Sequence, residues 1–197
     1  MFEHVFFLLM GLERNYSVPT ASMQPTLMIG DVFPAHQYRL YGAFGPMVFA
    51  PVPEPGDVVL YWNITRETYI KRVVALAGDR VQMRGGRLHI NGVMVERREI
   101  GRFDDGDSLG KVVPVTRYEE TLPNGVTHLI NEISDNDQLD NTDVYVVPEG
   151  HMFVLGDNRD RSADSRVLSQ VGYVPLAASI AVLPHDQPMA FWARANH

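Results

Sequence analysis

VPEPGDVVLYWNITRETYIKRVVALAGDRVQMRGGRLHINGVMV, residues 52–95, breaks into short runs of β-branched and aromatic residues separated by PGD, AGD, GG and NG. Such runs suit a pleated, half-buried surface, and the separators are turn chemistry, because Gly85, Gly86 and Gly92 accept the positive φ that tight hairpins need. The stretch predicts a meander of antiparallel strands, with RLHI at residues 87–90 as a short, edge-like one.

On its C-terminal side, residues 96–143 turn charged and polar: RFDDGDS, LPNG and ISDNDQLDNTD interrupt short segments such as KVVPV. This texture predicts an inserted, loop-rich β region. The strand pattern returns in VYVVPEGHMFVLGD, residues 144–157, and again in VGYVPLAASIAVL, after the polar RDRSADSR. The fold class is therefore mainly β: an antiparallel β core built from residues 16–95 and 144–197, with the insert 96–143 laid over it. No fixed-period repeat points to a solenoid.

With 197 residues, 45% of them hydrophobic, the chain can bury a sizeable core. A formal charge of -7 with no basic block argues against a nucleic-acid partner, since phosphate backbones are bound by clustered Lys and Arg. The chain has no cysteine, which removes disulfides, zinc thiolates and thiol nucleophiles, and its seven histidines show no ligand-like spacing. No metal or cofactor is expected. The apolar run at residues 5–10 is far shorter than the roughly 20 residues of a membrane span, and it lacks the cationic start and cleavage site of a signal peptide. It reads either as a core element or as a membrane-surface contact.

The candidate chemistry begins in PTASMQPTL, residues 19–27. A serine beside prolines is commonly a turn residue. Here, Pro19 and Pro25 stiffen the backbone on both sides of Ser22, which would present its hydroxyl at a fixed angle, as a nucleophile requires. A serine hydroxyl needs a base, yet no histidine stands in an acyl-transfer motif and GxSxG is missing. The other solution is a lysine desolvated until it is neutral near pH 7. TYIKRVVALAGD offers Lys71. Strand alternation puts it with Tyr69, Val73 and Ala75, and puts Arg72 with Ile70, Val74 and Leu76, so one cation must sit among apolar neighbours. A third island, GDNRDRSADSR at residues 156–166, is entered directly from apolar HMFVL. It reads either as a solvated loop or as a buried ionic brace in which Asp and Arg satisfy one another.

With these islands in order, the sequence resembles the bacterial type I signal peptidases, the serine-lysine proteases that cut signal peptides from exported preproteins. PTASMQPTL, PGDVVLYW, YIKRVVALAGD and GDNRDRSADSR carry the resemblance, and YEETLPNGVTH is similar to the proteobacterial form. The resemblance implies a mainly antiparallel β fold with an inserted second β region, Ser22 as nucleophile and Lys71 as general base. It implies the Ser22 N–H and the Thr20 hydroxyl as oxyanion donors, Ser162 as a hydrogen-bond partner orienting Lys71, and Asp164 with Arg166 and Asp157 with Arg72 as ion pairs. Tyr16, Val18, Met23, Leu27, Tyr69 and Ile70 would line shallow pockets selecting Ala-X-Ala before the cut. Preprotein signal peptides would be the substrates, met at the outer face of the bacterial cytoplasmic membrane.

Two departures qualify the likeness. The family's usual Ser-Gly before the nucleophile reads Thr20-Ala21, and Arg161 stands where asparagine is common, adding a positive charge near Lys71. The transmembrane anchor usual in the family has no counterpart here. Residues 1–15 would then be a remnant of, or connection to, such an anchor, or the chain would meet the membrane peripherally through residues 5–10 and the terminal PMAFWARANH. A peptidase dedicated to one partner, or a catalytically silent peptide-binding relative, are the alternative readings of the same residues.

Overall fold

From its N-terminal side the fold runs as β1 (Glu13–Ser17), β2 (Val32–His36), β3 (Arg39–Gly42), β4 (Gly45–Val48), β5 (Val58–Trp62) and β6 (Thr68–Leu76). There follow β7 (Arg80–Arg84), β8 (Arg87–Ile90), β9 (Val93–Met94), β10 (Glu96–Gly106), β11 (Val112–Thr121) and β12 (Thr127–Glu132). The chain closes with β13 (Tyr145–Val146), β14 (His151–Leu155), β15 (Val174–Pro175) and β16 (Ser179–Leu183), all in a computed structural model. It describes residues 13–36, 39–42, 45–48, 52–63, 65–106 and 109–185. The apolar run at residues 5–10 and the terminal PMAFWARANH lie outside them, as do the other residues of the 1–15 segment before Glu13. Among the described residues every strand pairing is antiparallel, and no helix is long and apolar enough to cross a membrane.

A five-stranded sheet in the order β15-β14-β6-β5-β16 organises the fold and joins the first third of the sequence to the last. Its central strands, VVLYW and TYIKRVVAL, are largely buried, Lys71 and Arg72 included, because both faces are covered. Val58, Leu60 and Ile70 pack on one face with Val18, Met23, Leu27 and Phe33 of the β1–β2 region. Val59, Tyr61, Val73, Met152 and Val154 pack together on the other. Beyond them Val74, Ala75 and Phe153 meet Val81, Met83, Leu88 and Ile90 of the four-stranded sheet β13-β7-β8-β9.

Three details differ from the sequence reading. RLHI is an inner strand: the Asn91-Gly92 turn brings Val93 back against Ile90, so β8 has partners on both edges. Residues 96–143 hold strands of 11 and 10 residues, β10 and β11, paired with β12 in a three-stranded sheet, and the longest loop among the described residues of this region follows Glu132. Strict alternation along β6 fails after Val73. A bulge opposite Phe153 and Val154 turns Ala75 to the side of Val74 and leaves Leu76 with Val73.

Phe153 is fully buried, with its ring 5.1 Å from Tyr145 and 6.2 Å from Tyr173. Phe153→Ala is expected to cost about 3–5 kcal/mol in urea unfolding through the cavity it leaves.

Candidate active site

Ser22 sits in a single 3₁₀ turn, Ala21–Met23, which follows the extended Thr20. Buried Ala21 and Met23 hold the turn from below. Its carbonyl accepts the N–H of Asn158 at 3.1 Å, which ties the turn to the 156–166 segment. Gly156 makes that approach possible. A β-carbon there would overlap the Ser162 side chain and lie 2.6 Å from the Ser22 carbonyl oxygen.

Lys71 reaches Ser22 from β6. Its Nζ lies 2.9 Å from Ser22 Oγ and donates to the Ile70 carbonyl, also at 2.9 Å. The residue is only 4% exposed. Burial pulls the amine down from 10.5 to about 8, against the smaller opposing pull of Asp164 and Asp157. An amine so placed is neutral in an appreciable fraction at neutral pH and then offers its lone pair to the serine hydroxyl. Thr20 Oγ1 stands 3.2 Å from Ser22 Oγ on the other side.

Most of the 156–166 segment is buried, and the buried charges Asp157, Arg159, Asp164 and Arg166 are paired. Arg72 grips Asp157 with two donors at 2.8 and 2.7 Å and reaches the Gly56 carbonyl, while Thr26 donates to the same carboxylate. Arg166 holds Asp164 at 2.9 and 3.0 Å, and the Gly156 N–H adds a third bond. Burial by itself pushes the Asp164 carboxyl up, but Arg166 and these hydrogen bonds more than offset it and keep the group below the usual carboxylate range. Arg159 is fully buried and forms a fork on Glu120 of β11 at 2.9 and 2.5 Å, linking the segment to the three-stranded sheet.

Of the residues singled out in the sequence, Ser22, Lys71 and Thr20 converge, and Arg72 with Asp157 and Arg166 with Asp164 face one another. Ser162 does not bond Lys71. Its buried hydroxyl makes no hydrogen bond of ordinary geometry, although it lies close enough to Asp164 to favour that group's charge. A cavity of about 410 Å³ opens beside the dyad, lined by Val18, Met23, Tyr69 and Ile70 among others. Leu27 and Tyr16 do not line it: Leu27 is fully buried in the core, and Tyr16 stacks on Phe33 at 6.3 Å. Arg161 does line it, but lies 3.7 Å from Asp105, and the depression of Lys71 comes from burial.

Sequence reasoning missed Glu67, Thr68 and Ala163 at the cavity, and Glu120 and Gly156 beneath it. Glu67 and Thr68 were open to discovery, because they lead directly into Tyr69 on the strand that carries Lys71. Glu120 left no signal, since its partner Arg159 is 39 positions away.

Comparison with known proteins identifies the chain's relatives. Residues 2–183 match the family model described as signal peptidase, peptidase S26. A signal peptidase I of Rickettsia akari (strain Hartford) is 36% identical over a match covering 84% of this chain and 68% of that protein. One of Rickettsia prowazekii (strain Madrid E) is 37% identical with the same coverage. The crystal structure of a signal peptidase I from Enterococcus faecalis V583 is 28% identical and aligns over 68% of this chain and 98% of that one, with a TM-score of 0.39.

Burying Lys71 has a cost that depends on pH. Below about pH 8 the amine carries its proton both folded and unfolded, so the full burial penalty is present. As the pH rises from about 8 towards 10.5 the folded amine is neutral while the unfolded one stays charged, and the penalty fades. Lys71→Met should therefore be more stable than the parent by on the order of 3 kcal/mol near pH 6, converging with it towards pH 10.5. Urea unfolding at a series of pH values tests this, and a difference that does not change with pH would contradict it.

Proposed function

We propose, from the premise that this chain belongs to the signal peptidase family, peptidase S26, that Ser22 and Lys71 are the dyad with which it cleaves signal peptides from exported preproteins. The observation that carries the proposal is the 2.9 Å contact between a serine oxygen and the buried amine of Lys71.

In this mechanism the neutral Lys71 amine keeps one N–H on the Ile70 carbonyl and takes the Ser22 proton as Oγ attacks the scissile carbonyl. The oxyanion that forms is met by the Ser22 N–H and by the Thr20 hydroxyl, which swings from its present contact with Oγ. Donors of this kind lower the barrier by about 3 kcal/mol each. Lys71 then hands the proton to the leaving amine, and the C–N bond breaks. A water that gives its proton to Lys71 attacks the acyl-enzyme and releases the new C-terminus, after which the proton returns to Ser22.

The substrate enters as an extended strand. β14 pairs with β6 only from Arg72 onward and β5 occupies the opposite edge, so one edge of residues 68–71 has no strand partner among the described residues. That edge lies along the cavity, where backbone pairing would hold a peptide in β-augmentation. Val18, Met23, Tyr69 and Ile70 leave shallow apolar room beside it, which suits alanine-sized side chains and excludes larger ones by overpacking. Ser162 acts here through Asp164 and the packing under Lys71. The Arg72–Asp157 and Arg166–Asp164 pairs hold the floor. Cleavage takes place at the outer face of the cytoplasmic membrane, where exported chains emerge, and contact with the membrane surface brings substrate and site together.

A synthetic preprotein peptide with Ala-X-Ala before the cut, offered with and without detergent, is expected to be cleaved after the second alanine. Ser22→Ala and Lys71→Ala should each abolish turnover while the fold holds. Cleavage that persists in either variant would remove the dyad, and a folded parent inert in both media would point to a dedicated substrate or a silent binding groove.

Because only the neutral amine is a base, kcat/KM should climb about tenfold per pH unit and level off near pH 8, the value to which burial brings Lys71. Thr20→Val, which replaces the hydroxyl by a methyl group, is expected to lower kcat about 100-fold with KM little changed. An equal rise in KM instead would make Thr20 a ground-state contact.

A further inference from the structure

The cavity beside the dyad is not evenly charged. Its ionisable lining residues are Glu67, Lys71 and Arg161 together with Tyr69. The two cations belong to the dyad end: Lys71 bonds Ser22, and the turn Arg159–Arg161 packs against the turn that carries Ser22. Arg161 also stands 3.7 Å from the Asp105 carboxylate. Glu67 immediately precedes β6, four positions before Lys71. Along an extended strand that separation is about 13 Å, so the carboxylate marks the far end of the cavity.

The turn between β5 and β6 holds this acid in place. Asn63 Oδ1 accepts the N–H groups of Thr65 and Glu67, each at 2.9 Å, which closes the turn. Asn63 Nδ2 donates to Glu67 Oε2 at 3.1 Å, and the Thr65 hydroxyl stands 3.0 Å from the same oxygen. These partners are neutral and leave the charge uncompensated. Among the described residues no arginine, lysine or histidine forms an ion pair with Glu67, the adjacent Arg66 included. A side chain restrained in this way loses little freedom when it meets a ligand.

A peptide extended along residues 68–71 runs past this group. With the scissile carbonyl at Ser22 Oγ and alanine-sized side chains beside Ile70 and Tyr69, the residues before the cut lie on the Glu67 side. At about 3.3 Å per residue, the distance back to Glu67 corresponds to the fourth or fifth residue before the cut.

We propose that Glu67 is a specificity-determining residue that favours lysine or arginine, and disfavours acidic side chains, four or five residues before the cut. The proposal rests on the reading of Ser22 and Lys71 as the dyad and of residues 68–71 as the substrate's edge. Glu67 is exposed, so its pull on a cation is partly screened and the preference is modest and salt-dependent.

The test compares synthetic Ala-X-Ala peptides carrying Lys-Lys, Gln-Gln or Glu-Glu at the fourth and fifth residues before the cut, with a second set altered at the same distance after it. For the first set kcat/KM is expected to fall in the order Lys, Gln, Glu, with Lys-Lys about tenfold above Glu-Glu at low salt and about twofold above it in 0.5 M sodium chloride. Glu67→Gln, which keeps an acceptor for Asn63, should bring the ratio towards one, and Glu67→Lys should invert it. A parent ratio near one, a ratio unchanged in Glu67→Lys, or a preference confined to the peptides altered after the cut would each overturn the role of Glu67 while leaving the dyad standing. A parent inert towards every peptide would remove the dyad reading and this proposal with it.

Discussion

A lysine amine held out of water beside a serine hydroxyl is the constraint on which the rest of this structure depends. In solvent Lys71 would keep its proton at any physiological pH and could not act on Ser22. Burial within the five-stranded sheet supplies the depression, and it works only if the amine has nowhere wet to go. Both faces of β6 must therefore be covered. The cluster around Leu60 and Phe33 covers one, and that around Tyr61 and Val154 covers the other. The proposed base and the hydrophobic core are in this sense one feature.

The same burial creates the problem solved by residues 156–166. Carboxylates and guanidinium groups brought beneath the dyad lose their hydration, and each is retained only because a partner meets it at hydrogen-bond distance. Arg72 with Asp157, Arg166 with Asp164 and Arg159 with Glu120 are three such solutions, and they link β6, the 156–166 turn and β11. Forked pairs resist rotation as well as separation, so they suit a site whose reacting atoms must stay close to one position. Gly156 completes the arrangement by letting the Ser22 turn and Ser162 come together where a side chain would keep them apart.

Legibility in the sequence followed the range of the interactions. The β class, the hairpins at Gly85-Gly86 and Asn91-Gly92, and the returning strands near residues 144–157 were readable because turns and alternation act over a few residues. So were Ser22, Lys71 and the Asp-Arg run, whose local company is unusual. The inner position of β8 was not readable, since a short strand looks the same with one partner or two. Nor was the bulge that reverses Ala75 and Leu76, because β14 imposes it from across the sheet. Leu27 and Tyr16 share the composition of pocket residues, and only packing against Phe33 and its neighbours assigned them to the core.

By itself the sequence determined the mainly β class, the family to which the chain belongs and the identities of the serine and lysine, because each is written in contiguous residues and their order. Only the tertiary structure decided that Lys71 is dry, that Ser162 makes no hydrogen bond to its amine, that Glu120 completes the Arg159 pair and that Glu132, Asp140 and Asp160 converge. The physical reason is that desolvation and charge pairing are properties of a place in the fold. A place assembled from distant segments has no local signature.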